Sequence, residues 1–176
     1  MSDLRYPIGN FQFSGKVTDG DRRRSIDIIE STPSKMRAAV KGMGDKQLDT
    51  PYRPGGWTIR QVVHHVPDSH LNAYIRFKLA LTEDVPTIKA YDEQSWAQLE
   101  DSKNTPIETS LTLLESLHQR MTVLLRSLKS ADFERKFNHP ERGPMTIDSL
   151  LALYAWHGPH HVAHITELRK REGWTK

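Results

Sequence analysis

Histidine is the residue type through which this chain could do chemistry, and its arrangement is uneven. The stretch Trp156–Ile165, WHGPHHVAHI, holds four of nine histidines. They stand at positions 157, 160, 161 and 164, so pairs recur at i,i+3 and i,i+4, the separations that bring side chains together on one helix face. Such a cluster can give two ligands to one metal ion. A catalytic metal usually takes a third protein ligand, and the comparable stretch upstream is HHVPDSH, His64–His70. With no cysteine in the chain, disulfides, thiolate ligands and a cysteine nucleophile are excluded, leaving His, Asp and Glu for metal chemistry.

Helical phase ranks the candidates. At about 100° per residue the apolar stripe of the last helix centres between Leu150 and Tyr154. His161 falls near that centre and His157 within about 50° of it, while His164 lies further round and His160 roughly 100° away. His157 and His161 are therefore the pair expected to face the interior, with Pro159 between them disturbing the phase. Upstream, phase favours His70, which lies on the apolar stripe. However, His65 heads a polar ladder with Ser69, Asn72 and Arg76 that could line a cleft, so phase alone leaves His65 and His70 both open.

The elements that must position these residues are helical. Residues 1–20, with Pro7, Gly9, Gly15 and Gly20, read as an extended arm. A first helix is expected from Asp21 to Met43, kinked or restarted at Pro33. A second opens at Thr58, where TIRQ has capping-box form, and runs toward Thr82 with Pro67 inside it. One short helix is expected after Asp92. Thr105-Pro106 starts a third long helix, in which Ile107, Leu111, Leu114, Leu117, Met121, Leu124, Leu125 and Leu128 keep i, i+3, i+4, i+7 spacing. Ser130–Phe137 reads as a further turn of helix, and FNHPERGPM as a loop or small hairpin. Thr146 caps a fourth helix running to Arg171, with Gly173 as its stop. Together these predict an all-α four-helix bundle with long inter-helix connections, one domain over residues 1–176.

Bulk properties exclude other classes. The 176 residues are 36% hydrophobic and 27% charged, as in an ordinary globular protein. The net charge of +3 is mild, basic triplets are confined to Arg22–Arg24 and Arg169–Arg171, and no aromatic-basic interleaving suggests a nucleic-acid groove. No apolar run approaches a membrane span or a signal peptide, so no membrane partner and a cytoplasmic location are expected.

GGWTIRQVVHHVPDSH, IRFKLALTE and YAWHGPHHVAHITELRKREGW, with the spacing between them, resemble the YfiT proteins of the DinB/YfiT-like metalloenzymes, from YPIG near the N-terminus to the terminal GW. The resemblance implies a DinB-type four-helix bundle, a homodimer, and one zinc or nickel ion held by three histidines, one from the second helix and an i,i+4 pair from the fourth. Carried onto this sequence, the ligands are His65, which precedes Val66-Pro67-Asp68, and His157 with His161. Pro67 and Pro159 depart from the family pattern beside those ligands.

Three neutral imidazoles leave the charge of a divalent ion uncompensated and at least one coordination position open, the arrangement of catalytic sites. Water held there ionises at about pH 7, which makes a metal-dependent hydrolase of a small-molecule substrate. The same site could instead hold a low-molecular-weight thiol as thiolate, which makes an S-transferase of the bacillithiol transferase kind found in this family. A non-catalytic metal-binding protein is the third possibility. Asp68, Glu167 and the remaining histidines are candidate partners for ligand ring N–H groups, and Arg76 is a candidate anchor for an anionic substrate group.

Overall fold

The computed structural model describes residues 3–174; Met1, Ser2, Thr175 and Lys176 lie outside it, including the first two positions of the expected arm. Four long helices build the molecule: α1 (Asp19–Val40), α3 (Ile59–Thr82), α6 (Ile107–Arg126) and α7 (Ile147–Arg171). Between them lie three short helices, α2 (Asp45–Leu48), α4 (Glu93–Trp96) and α5 (Glu100–Asn104), a 3-10 turn at Ser130–Glu134, and the strands β1 (Lys136–His139) and β2 (Gly143–Thr146). α1 packs against α6 and α7, and α3 packs against the same two. Consecutive long helices α1 and α3 therefore stand diagonally, as do α6 and α7, which is why their connections must be long.

Local chemistry sets the helix starts. Thr18, Thr58 and Thr146 each accept a hydrogen bond from the backbone N–H three residues on, and the side chain at that third position satisfies the cap's own N–H. Gly173 ends α7 with a left-handed φ of 67°. No helix is interrupted at its proline: Pro33, Pro67 and Pro159 sit inside continuous helices. Each proline lacks the N–H that would bind the carbonyl four residues earlier, so the carbonyls of Ile29, Val63 and Ala155 lose their helical partner.

Three boundaries differ from the sequence reading. α1 spans Asp19–Val40 rather than 21–43, because Thr18 supplies the cap. The segment after Asp92 forms two short helices instead of one. The region 136–146 pairs as an antiparallel hairpin, Lys136 opposite Thr146 and His139 opposite Gly143, so helix stops at Glu134 rather than Phe137. The hairpin is fastened to the α3–α4 linker, since Asn138 N–H donates to the Pro86 carbonyl at 2.8 Å and Ile88 N–H to that of Asn138 at 3.0 Å.

The apolar interior is divided. Ile26, Ile29, Phe77, Met121, Phe137 and Leu151 belong to one buried cluster, and Met36, Val62, Val63, Leu114, Ile165 and Leu168 to another. Along α3 the break falls between Val66 and Ala73, and along α7 between Ala155 and Ile165. These gaps are the segments that carry His70, His157 and His161. A polar layer thus crosses the bundle between two hydrophobic halves. At that level α1 and α7 approach closely, for a Cβ on Gly158 would meet the Thr32 side chain at 2.6 Å. Nearer one end, Arg22 of α1 and Asp148 of α7 form a two-pronged ion pair at 2.8 and 2.6 Å. Among the described residues no helix is long and apolar enough to cross a membrane.

Candidate metal centre

Because α3 and α7 are packed neighbours, His65 meets His157 and His161 across their interface. One nitrogen from each ring lies within 4.8 Å of the other two. The Nε2 atoms of His157 and His161 are 3.2 Å apart, so α7 keeps their convergence despite Pro159. Tetrahedral ligands about 2.0–2.1 Å from zinc would stand roughly 3.3 Å from one another. The donor set therefore fits a small divalent cation with modest adjustment of His65.

Burial decides the charge of these rings. It pushes His65 down to about 3, with His160 and His164 adding to the effect. His157 and His161 are also held well below the ordinary value near 6.5, first by burial and then by their histidine neighbours. All three are neutral at pH 7, the protonation state that binds metal.

The three rings line a cavity of about 400 Å³ with Trp57, Arg76 and Tyr154. Trp57 packs 4.6 Å from the His65 ring, and its Nε1–H donates to Gln94 Oε1 at 3.0 Å, fixing the indole against α4. The hairpin contributes His139 and Arg142 to the same wall. Of the polar ladder on α3, His65, Ser69 and Arg76 line the cavity, whereas Asn72 turns back to donate to the Asp68 carbonyl. Arg76 is only 7% exposed. Its guanidinium donates to the Lys89 carbonyl at 3.3 Å and, among the described residues, pairs with no carboxylate.

Other residues singled out by sequence fall elsewhere. The Asp68 side chain is not in the cavity wall and makes no hydrogen bond to His65 among the described residues. It faces α5, where burial and then Asp101 raise its carboxyl to about 6. A spacing of i+3 puts it beside His65 on the helix, yet it does not join His65 in the cavity wall. Glu167 pairs with Lys170 at 2.6 Å. His64 lies 2.7 Å from Ser110 Oγ and 3.0 Å from the Thr105 carbonyl, tying α3 to the start of α6. His70 is fully buried, as its phase indicates, with Nε2 3.2 Å from His157 Nδ1 and Nδ1 2.8 Å from His118 Nε2. His160 stacks on Trp156 at 4.2 Å, and His164 stacks on Tyr52 at 4.0 Å.

Sequence reasoning did not place Trp57, Tyr154, His118 or the arm at the site. His118 carried a visible signal, a polar residue between Leu117 and Met121 on the apolar stripe of α6. The arm carried none: the Arg5 carbonyl comes within 3.1 Å of His164 Nε2, and the Gly9 carbonyl accepts from Trp156 Nε1 at 3.2 Å.

The chain is a diagonal four-helix bundle in which three histidines converge from two helices, and comparison with known sequences places it in a family. The sequence profile of the DinB superfamily matches residues 28–165, and the chain belongs to that superfamily. It is 56% identical over 174 residues to a Bacillus mycoides (strain KBAB4) protein named "Putative metal-dependent hydrolase", covering 99% of this chain and 100% of the relative. A Bacillus cereus (strain 03BB102) protein of the same name is 57% identical with the same coverage. Among solved structures, Bacillus subtilis YfiT superposes with a TM-score of 0.96 at 50% identity, covering 98% of this chain and 99% of that one. It is described as "a probable metal-dependent hydrolase with an unusual four-helix bundle topology". The four-helix bundle protein TT2238 matches at a TM-score of 0.54 and 16% identity, a likeness of fold alone.

Proposed function

We propose that this chain is a metal-dependent hydrolase in which His65, His157 and His161 hold one divalent ion, zinc or nickel, at the base of the cavity. The observation that carries this reading is the convergence of three neutral imidazoles, His65 and His161 buried and His157 half-buried, two of them with Nε2 atoms 3.2 Å apart. Bound there, the ion supplies Lewis acidity, lowering the pKa of a water or thiol beside it and polarising an electrophile. The chain's own groups do the rest. Three neutral ligands leave the double charge uncompensated and leave room for a further ligand. Arg76, buried and without a carboxylate partner among the described residues, anchors an anionic group of the substrate. Trp57 and Tyr154 form walls that shield the reacting atoms from bulk water.

A second reading, thiol S-transfer, is favoured by one observation: the carboxylates in the cavity wall, Glu93 and Glu141, are both exposed, and among the described residues no buried carboxylate stands beside the histidines as a general base. A thiol that loses its proton on binding needs no such base. Metal analysis after dialysis tests the site itself. About one equivalent of metal in the wild type, absent from the variants His65→Ala, His157→Ala and His161→Ala, is the expected result. Metal retained by all three variants sinks the assignment. Incubation with a low-molecular-weight thiol and a haloarene, in parallel with ester and amide substrates, separates the chemistries. Metal-dependent cleavage alone supports hydrolysis, and metal-dependent conjugate alone replaces it with transfer.

A further inference from the structure

We infer that the proposed ligands His157 and His161 are each fixed in one tautomer by an imidazole relay that ends on a main-chain carbonyl, one relay running through the core and the other through the N-terminal arm. The assignment follows from the fixed roles of the terminal atoms. A carbonyl oxygen only accepts. The Ile29 carbonyl lies 2.6 Å from His118 Nδ1, so Nδ1 carries the proton and donates. In a neutral ring His118 Nε2 is then bare, and it accepts from His70 Nδ1 at 2.8 Å. That leaves His70 Nε2 bare, accepting from His157 Nδ1 at 3.2 Å. His157 is thereby left with an unprotonated Nε2.

The second relay runs from the other side. The Arg5 carbonyl accepts from His164 Nε2 at 3.1 Å, which leaves His164 Nδ1 bare. That atom accepts from His161 Nδ1 at 3.3 Å, and His161 too is left with an unprotonated Nε2. The two Nε2 atoms that approach within 3.2 Å therefore hold facing lone pairs. No hydrogen joins them, and a cation held by both would turn the repulsion into ligation. No ring of either relay is hydrogen-bonded to a carboxylate among the described residues, so an imidazolium would lack a counter-charge. Burial agrees, holding His118 and His164 down at about 4.

Pro33 explains why the core relay has an anchor. Within α1 the Ile29 carbonyl would normally accept the N–H of residue 33, and proline has none. The unclaimed carbonyl points into the bundle, where His118 takes it. Neither relay is a proton wire, because each ends on an atom that cannot take up a proton. They are positioning devices: His70, His118 and His164 select and aim the lone pair of a neighbouring ring, as outer partners of metal ligands do.

The metal-facing half of this inference rests on the three-histidine reading, whereas the tautomers are properties of the metal-free chain. Long-range ¹H–¹⁵N spectra of ¹⁵N-histidine-labelled, chelator-treated protein report them directly. His118, His70, His157 and His161 are expected as Nδ1–H forms and His164 as the Nε2–H form. Zinc titration against a chromogenic chelator supplies the second readout. His70→Phe and His164→Phe remove the acceptor and are expected to weaken zinc binding about 10- to 100-fold. His70→Gln and His164→Gln accept through Oε1 and donate through Nε2, and are expected to return to within a few-fold of wild type. An Nε2–H form at His70 or His118 overturns the core relay, and an Nδ1–H form at His164 overturns the arm relay. Folded Phe variants that bind zinc like wild type overturn the positioning role. A wild type with these tautomers that binds no divalent metal defeats the metal reading and leaves the relays standing.

Discussion

The two proposed ligands of α7 are held in contrasting ways. His157 leans on His70 and His118, which are 0% and 2% exposed and belong to α3 and α6, while their anchor belongs to α1. Every long helix of the bundle takes part, so that arrangement forms only when the bundle does. His161 leans on His164 and then on Arg5, in an arm with no regular element whose neighbours Tyr6 and Ile8 are 40% and 46% exposed. Such a segment can open locally at far lower free energy than global unfolding. The same chemical task, presenting an imidazole lone pair, is tied in one case to the stability of the fold and in the other to the docking of a strap.

Removing the ligands breaks the comparison most severely, since both relays then point at nothing. His157→Ala and His161→Ala are each expected to cost more than about 100-fold in zinc affinity by chelator competition, beyond the loss typical of an outer partner. Equal losses from the two would show that the contrast lies in how the ligands are supported. A loss confined to His157→Ala would mean that the arm side does not ligate at all.

Acid should act on the core side through the fold. Burial depresses His118 to about 4 from an ordinary value near 6.5 and holds His70 well below it. Between those values the unfolded chain binds protons that the folded chain refuses, so stability is full above about pH 6.5 and falls as pH drops toward 4. Asp68 opposes this in part, because its carboxyl, raised to about 6, takes up a proton in the folded state first. Depressed histidines outnumber that single carboxyl, so the net slope stays positive. Thermal melts of chelator-treated protein are expected to show the midpoint falling steadily from pH 7 to pH 4.5. A flat profile would mean that His70 and His118 are hydrated and charged in solution.

Shortening the chain to begin at Asn10 tests the arm side alone. It removes the Arg5 and Gly9 carbonyls that His164 and Trp156 engage, while leaving the two apolar clusters intact. Zinc affinity is expected to fall about 10-fold, the lower end for loss of an outer partner, with the thermal midpoint moved by only a few degrees. A midpoint that collapses instead would make the arm part of the fold rather than of the site.

How much of this could be read from sequence follows the same division. The bundle was legible because Thr58 and Thr146 cap helices whose apolar residues keep a 3.6-residue period, and that information is local; the cap at Thr18 was not read, which put the start of α1 two residues late. His157 and His161 were legible because both sit on one helix. The choice between His65 and His70 was not, since phase measures burial and both rings prove to be buried: His65 faces the cavity and His70 supports His157 from behind. Arg5 was illegible, because a main-chain carbonyl has no residue-type signature and its partner is 159 positions away. Asp68 was misplaced because i+3 spacing makes neighbours on a helix surface without making them face the same way.

Pro33 gives the smallest expected effect and the sharpest one. Proline inside a helix costs up to about 3 kcal/mol relative to alanine, so Pro33→Ala should leave the thermal midpoint unchanged or raise it. The new N–H, however, reaches for the Ile29 carbonyl that now accepts from His118 at 2.6 Å. A carbonyl has two lone pairs and can serve both donors, so the anchor is weakened rather than lost. Zinc affinity is then expected to drop only a few-fold, the His70 and His118 ring nitrogens to shift, and His161 and His164 to stay where they are. A more stable chain that binds its metal less well would locate the use of this proline in the site and not in the helix. Unchanged affinity together with unchanged His118 nitrogens would show that the Ile29 carbonyl anchors His118 whether or not residue 33 carries a proton.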